Sequence, residues 1–399
     1  INAMDKKNKT PNVPNLRFNG YTENWQKYRT IELGQMQRGK SKHRPRDDEK
    51  LYGGAYPFIQ TGDIKKANLY IKEYERTYSN YGLSQSKLWS KGTLCITIAA
   101  NIAETAILGL NACFPDSVIG WISNEKITNN IFIKYYFDFY KTQLKRLSVG
   151  GAQENLNLDK LENVYFHIPT LPEQNDITNL LTKIDELIET QIKIIELKQS
   201  LIKDIEDKLL WKSASTYSRH ISDFLTELND KSKIQNQYPL LSSTKKGLFL
   251  QTDYFNKEAA SSNNIGYKIV HEGDIIISPQ NLWMGNITYN DKFVNGLVSP
   301  SYRIYKVKEE YNAYYISRIL MSYRALSLYK NISEQGASIV RRNLNVDAFN
   351  ELCFPIPNIK KQDEVSLFLS KLHQELNSEI EILKQLKNQK KYLLCNMFI

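Results

Sequence analysis

The sequence predicts an α+β fold. Two similar globular parts are separated by two long helices that pair as an antiparallel coiled coil, and the chain forms a pseudo-twofold internal repeat. Three observations carry this. From Pro172 to Trp211, apolar residues fall at Ile177, Leu181, Ile184, Ile188, Ile195, Ile202, Ile205 and Leu209, in alternating steps of four and three, with Gln191 and Lys198 at two skipped positions. That is a heptad seam, along which one helix lies against another. A second run near the C-terminus, Val365, Leu369, Leu372, Leu376, Leu383, Lys390, Leu393 and Met397, keeps the same register at an offset of 188 residues, with Leu386 filling one gap. Upstream of both, Asn155-Leu-Asn-Leu-Asp-Lys-Leu-Glu-Asn-Val-Tyr-Phe-His-Ile-Pro169 and Asn343-Leu-Asn-Val-Asp-Ala-Phe-Asn-Glu-Leu-Cys-Phe-Pro-Ile-Pro357 agree at seven of fifteen positions, at that same offset. The chain is a tandem duplication of a globular part followed by a helix of roughly 40 residues, about 60 Å long at the helical rise.

The expected divisions are residues 4–171, a globular part; 172–212, the first helix; 213–357, a second globular part; and 358–399, the second helix. Ile1-Asn2-Ala3 ahead of Met4 reads as a cloning remnant. The first globular part reads as short strands with turn punctuation. Tyr56–Asp63 and Gly92–Ile98 are the strand signals, and a helical patch follows from Asn130 to Leu147. The layout returns in the second half. Tyr238-Pro-Leu-Leu-Ser-Ser243 matches the first strand, Glu272-Gly-Asp-Ile-Ile-Ile277 matches Lys91-Gly-Thr-Leu-Cys-Ile96, and Tyr311–Tyr329 matches the helical patch. The entry segments and helices are alike while the globular middles diverge, as expected of a symmetric scaffold whose two parts read different things.

Charge placement points to a partner. The 399 residues carry 53 Lys+Arg against 43 Asp+Glu, a formal charge of +10. Residues 172–211 hold five lysines and nine acids, a net −4, so the remainder carries +14. Basic globular parts on a helix that is not basic suit a polyanion such as nucleic acid. The four cysteines (Cys95, Cys113, Cys353, Cys395) have no metal-type spacing and read as free thiols of a cytoplasmic protein. No run approaches the 18 or so apolar residues of a membrane span, and no signal peptide stands out.

Gly34-Gln-Met-Gln-Arg-Gly-Lys-Ser41 satisfies the spelling of a phosphate-binding loop. That mechanism needs a helix directly after it, and Lys42-His-Arg-Pro-Arg-Asp-Asp-Glu-Lys50 has a proline and no apolar period. The better reading is a basic loop. Arg38, Lys40, Lys42, Arg44 and Arg46 place five cations in nine residues, with His43 among them and no acid. Such a loop suits DNA phosphates, and one arginine could reach a guanine edge; a solvated surface loop is the alternative. The Glu-x-Lys triplets Glu196–Lys198 and Glu206–Lys208 lie inside the heptad helix, and no methyltransferase motif or catalytic constellation stands out, so the chain is expected to carry out no chemistry of its own.

Other segments read as contacts to bases. Gly150-Gly-Ala-Gln-Glu-Asn-Leu156 offers Gln153 and Asn155, and its longer counterpart Gly336–Leu344 carries Arg341, Arg342 and Asn343. Asn and Gln can bind adenine at two points, and Arg can do so with guanine. In the second half, Ser242, Ser243, Thr244, Lys245 and Lys246 form one candidate loop, and Gln280, Asn281, Trp283 and Asn286 another. Gln60, Thr61, Lys87 and Asn101 complete the candidate DNA contacts in the first half.

The whole plan resembles the specificity subunit of type I restriction–modification enzymes. Gly-Ala-Gln-x-Asn-Leu followed by Ile-Pro-x-Leu-Pro-Glu-Gln174 is similar to the end of that family's target-recognition domain and the start of its spacer helix. Ile356-Pro-Asn-Ile-Lys-Lys-Gln362 is a second occurrence, with Ile359-Lys360-Lys361 where Leu-Pro-Glu is usual. The resemblance implies a non-catalytic reader of double-stranded DNA, with two target-recognition domains that each take one half of a split site. It further implies assembly with two methyltransferase subunits that use S-adenosylmethionine to methylate adenine, and with ATP- and Mg-dependent restriction/translocase subunits; those cofactors belong to the partners. A coiled-coil adaptor that binds proteins through its globular ends is the competing reading, and salt-sensitive duplex binding separates the two.

Overall fold

The structure is a computed structural model describing residues 12–148, 156, 158–212, 216–245, 247–254, 263–335 and 342–399. It divides into two compact units, residues 1–194 with 380–399, and residues 195–379. The division falls within both long helices, Leu171–Trp211 and Ile359–Met397.

Among its described residues, the first unit has a five-stranded sheet in the order Gly34–Arg38, Val118–Ser123, Leu94–Thr97, Thr105–Leu108, Tyr70–Ile71. Its pairs are antiparallel except the last, which is parallel. The central strand is buried throughout, and period-2 alternation divides it between two cores. Leu94 and Ile96 face Trp121, Phe132, Ile133 and Phe137, beneath the helix Asn130–Ser148. Cys95 points the other way, toward Ile59, Ile71, Leu108 and Val118.

The second unit repeats this scheme. Its four-stranded sheet runs Leu225–Leu228, Arg303–Val307, Ile275–Ile277, Ile287–Tyr289, with every pair antiparallel. Ile275 and Ile277 pack beneath helical residues Ile316, Ile319 and Leu320, while Ile276 turns to Leu241, Leu248 and Val298. The helical patch expected as one run is two helices, Ala313–Leu320 and Tyr323–Asn331. The break has a local cause: Ser322 is extended and its hydroxyl accepts the Ala325 N–H, so it caps a new helix instead of continuing the old one.

Local contacts recur with the duplication. Pro57 and Pro239 each accept an N–H from a distant strand, Cys113 at 2.8 Å and Leu297 at 2.9 Å. Gly92 and Gly273 both have positive φ, 91° and 89°, at the turn into the central strand, which explains why glycine stands in both copies. The entry segments Tyr165–Ile168 and Cys353–Pro357 pair antiparallel with Gln26–Arg29 and Thr216–His220. Gln174 and Gln362, both buried, donate from Nε2 to the carbonyls of Pro169 (2.9 Å) and Pro357 (2.8 Å).

The helix seam is buried in each unit. In the first, Ile177, Leu181, Ile184 and Ile188 join a core with Leu393 and Met397, and half-buried Leu383 and Leu386 pack against it. In the second, Ile195, Ile202, Leu369 and Leu376 are buried. There Lys198 meets Glu379 at 2.9 Å while His373 meets Glu206 at 3.0 Å. Numbers fall along one helix as they rise along the other, so the pairing is antiparallel. No helix of the described residues is long and apolar enough to cross a membrane.

Candidate nucleic-acid interface

In the first unit, the phosphate-loop spelling proves to be the strand Gly34–Arg38 followed by a loop, with no helix after it. Its glycines are there for packing. A Cβ at Gly34 would collide with the Ile122 carbonyl, and one at Gly39 with Phe114. The basic loop lies on the surface and its cations fall into two sets. Arg38, Lys40 and Lys42 are exposed and make no ion pair among the described residues. Arg46 is held by Asp116, with both carboxylate oxygens at 2.9 Å from Nη2. Arg44 Nη1 donates to the carbonyls of Ser41 (2.6 Å) and His43 (2.8 Å). His43 bridges Asp48 (2.8 Å) and the Tyr81 hydroxyl (3.2 Å). The Lys50 N–H, and after it the His43 ring, hold the Asp48 carboxyl below its usual range. An acid from elsewhere in the chain, Asp116, thus enters a loop that contains none.

Gln60 and Thr61 line a cavity of about 280 Å³ with Arg46, Tyr52 and Arg76. Arg76 was not legible as a candidate: it sits on the short strand Arg76–Tyr78, and only folding places its guanidinium over the Tyr52 ring at 5.1 Å. Lys87 donates to Gln37 Oε1 at 2.6 Å and lies 3.8 Å from the centre of the Trp89 ring. Asn101 accepts from Lys65 at 3.3 Å. Gln153 and Asn155 lie outside the described residues; Leu156, next after them, bonds through its N–H to Ile98 O.

The second unit sorts its candidates sharply. Ser242 and Ser243 are buried, and the Ser243 hydroxyl is taken up by Asn286 Oδ1 (3.0 Å) and Thr288 (2.9 Å). Asn286 donates back to Ser243 O at 3.3 Å. These three residues face the interior and support the loop. Thr244 bonds across its turn to Gly247 O, and Lys245 is exposed at the tip; Lys246 and Arg341 lie outside the described residues.

Gln280, Asn281, Trp283, Arg342 and Asn343 come together. Arg342 N–H bonds to Gln280 O at 3.3 Å, and its guanidinium lies 4.5 Å from the centre of the Trp283 ring. Gln280 and Asn343 are exposed beside them, and Asn281 bonds inward to Ser278 at 3.3 Å. In each unit one residue near the start of the repeated entry segment bonds to the loop after the central strand, Leu156 N–H to Ile98 O and Arg342 N–H to Gln280 O. A further polar cavity, about 560 Å³, opens beside Pro279 and is lined by Lys268, Arg303 and Glu227. Burial holds Lys268 below the ordinary lysine range. No cluster of His, Cys, Asp and Glu among the described residues could hold a metal ion.

Each globular unit thus carries exposed cationic or amide side chains: Arg38, Lys40 and Lys42 in the first, Lys245, Gln280 and Asn343 in the second. Residues 22–199 match the family model for the type I restriction modification DNA specificity domain. Over 191 residues the chain is 27% identical to the putative type I restriction enzyme MjaX specificity subunit of Methanocaldococcus jannaschii, a match covering 47% of this chain and 43% of that one. The type I restriction enzyme MjaIX specificity subunit of the same organism is 25% identical over 192 residues, 46% and 43% of the two chains. The matched stretch spans less than half the length of either relative. The structure is similar over 97% of its length to 99% of the type I restriction-modification S subunit from M. genitalium, with a TM-score of 0.60 and 16% identity. It is also similar to a chain from a type I R-M system, with a TM-score of 0.55, 11% identity and 93% and 96% coverage. Residues 22–199 are thus similar to a type I restriction modification DNA specificity domain, and nearly the whole chain shares the fold of the M. genitalium S subunit.

Proposed function

We propose that this chain is the DNA-reading subunit of a type I restriction–modification enzyme. Each globular unit takes one half of a bipartite double-stranded site, and the paired helices set the number of unread base pairs between the halves. The observation that carries the proposal is the match of residues 22–199 to a DNA specificity domain, at the position where Arg38, Lys40 and Lys42 stand exposed with no acid partner among the described residues. The chain supplies recognition. Two methyltransferase subunits supply adenine methylation from S-adenosylmethionine, and restriction/translocase subunits supply ATP- and Mg-dependent cleavage. The different loops of the two units support an asymmetric site, since Gln153 and Glu154 stand in the sequence where the other copy has Arg341 and Arg342.

The test is to map methylated adenines across the genome of the host with this gene intact and with it deleted. One split motif should vanish on deletion and return when the gene is restored. A methylation pattern unchanged by deletion would overturn the proposal.

A further inference from the structure

We propose that Arg342, held over the Trp283 ring, reads a guanine in the half-site taken by the second globular unit. The inference rests on the DNA-reading function above and assigns one base contact within it.

The first argument is that Arg342 is an unpaired cation. Elsewhere in the same unit, Arg303 faces Glu227, Arg318 faces Glu206 and Arg324 faces Asp207, with closest contacts of 2.5, 2.6 and 2.5 Å. Those guanidinium groups are committed to the fold. Arg342 forms no ion pair among the described residues, and its Nε, though shielded from solvent, has no hydrogen-bond partner. The Trp283 Nε1 is likewise buried without an acceptor. Among the described residues, then, two neighbouring side chains carry buried donors without a partner, and the Arg342 guanidinium is not committed to any acid.

The second argument is pre-organisation. Arg342 begins the strand Arg342–Leu344, paired in register with Gln335, and its N–H is tied to Gln280 O. Trp283 sits in the single turn Leu282–Met284, which Gly285 closes in the left-handed conformation at φ 88°. Backbone thus fixes both partners, and the cation–π contact at 4.5 Å restrains the guanidinium. A planar fork of N–H groups complements O6 and N7 of guanine in the major groove, which a lysine ammonium cannot reproduce. A contact to phosphate alone would need neither the ring nor the fork.

The experiment uses the full chain, isolated by a tag in its native assembly and challenged with a randomised duplex library. Wild type should enrich a split motif containing the guanine. Arg342→Lys and Trp283→Ala should enrich the same motif with that position degenerate, discrimination there falling roughly tenfold to a hundredfold. Trp283→Phe, which keeps a ring, should retain the guanine. Arg342→Gln should shift the preference toward adenine, an outcome that only a folded reader can give. Variants that enrich the unchanged motif, or that lose affinity equally for all sequences, overturn the assignment. A wild-type assembly that enriches no motif overturns the DNA-reading function itself.

Discussion

Two charged side chains, Lys390 and Glu206, show what single residues do on the paired helices. Lys390 and Asp185 meet at 2.6 Å, and the Tyr135 hydroxyl donates to the other Asp185 oxygen at 2.7 Å. Burial and the nearby Lys134 ammonium hold Lys390 below the ordinary lysine value even so. In the second unit, Glu206 accepts from Arg318 Nε (2.7 Å) and lies 3.0 Å from His373 Nε2. Burial alone would raise the Glu206 carboxyl, but the His373 ring and the Arg318 guanidinium outweigh it and hold the group below its ordinary value of 4.5. A carboxyl depressed in the folded state stabilises fully above its unfolded value and loses that contribution as pH falls through its folded value. Unfolding free energy in urea should therefore drop on acidification below about pH 4.5, and Glu206→Gln should flatten that decline. At neutral pH the same substitution should cost about 2 kcal/mol, because Arg318 and His373 lose their acid.

At the scale of elements, the repeated entry into the long helices is a hydrogen-bonded joint. Gln362 is buried, donates to Pro357 O and accepts the Asn312 N–H at 2.9 Å. Gln174 donates to both Ile127 O and Pro169 O, and accepts from the Thr128 hydroxyl at 2.8 Å. Each ties the first turn of a long helix to the strand before it and to the start of a helix in its own globular unit. Gln362→Ala should cost roughly 2–3 kcal/mol, because it strands buried backbone groups, and Gln174→Ala should cost a similar amount. Urea midpoints would measure both; an effect below about 0.5 kcal/mol, the scale of an ordinary surface change, would refute the joint. The departure of Ile359-Lys360-Lys361 from Leu171-Pro172-Glu173 leaves this bond intact, since the glutamine and the proline carbonyl are the parts that make it.

At the scale of the whole molecule, the repeated sheet order and the +10 charge carry the functional argument. DNA binding should weaken steeply with salt, as released counterions require. Replacing Arg38, Lys40 and Lys42 together with alanine should lower the slope of log affinity against log salt by up to about 3. Arg46→Ala should change it less, since Asp116 already neutralises that guanidinium. A filter-binding titration would check both, and an unchanged slope in the triple variant would remove this loop from the interface.

What the sequence determined by itself was the periodic and the repeated. A seam of apolar residues at heptad spacing must be covered, and duplicated segments such as Leu156–Pro169 and Leu344–Pro357 make the same local bonds wherever they occur. Even the polar positions Gln191 and Lys198 could be placed on the seam by counting alone, and the structure finds the first buried and the second paired with Glu379. The tertiary structure decided which polar loop residues remain available. Ser243 and Asn286 look as accessible as Gln280 in sequence, yet they satisfy each other inside the fold, while Arg342 lies over Trp283 with no acid partner among the described residues. The reason is physical: a helix or strand is specified by neighbours within a few residues, whereas the partners that neutralise a charge or consume a hydrogen bond come from segments tens of residues away, as Asp116 does for Arg46.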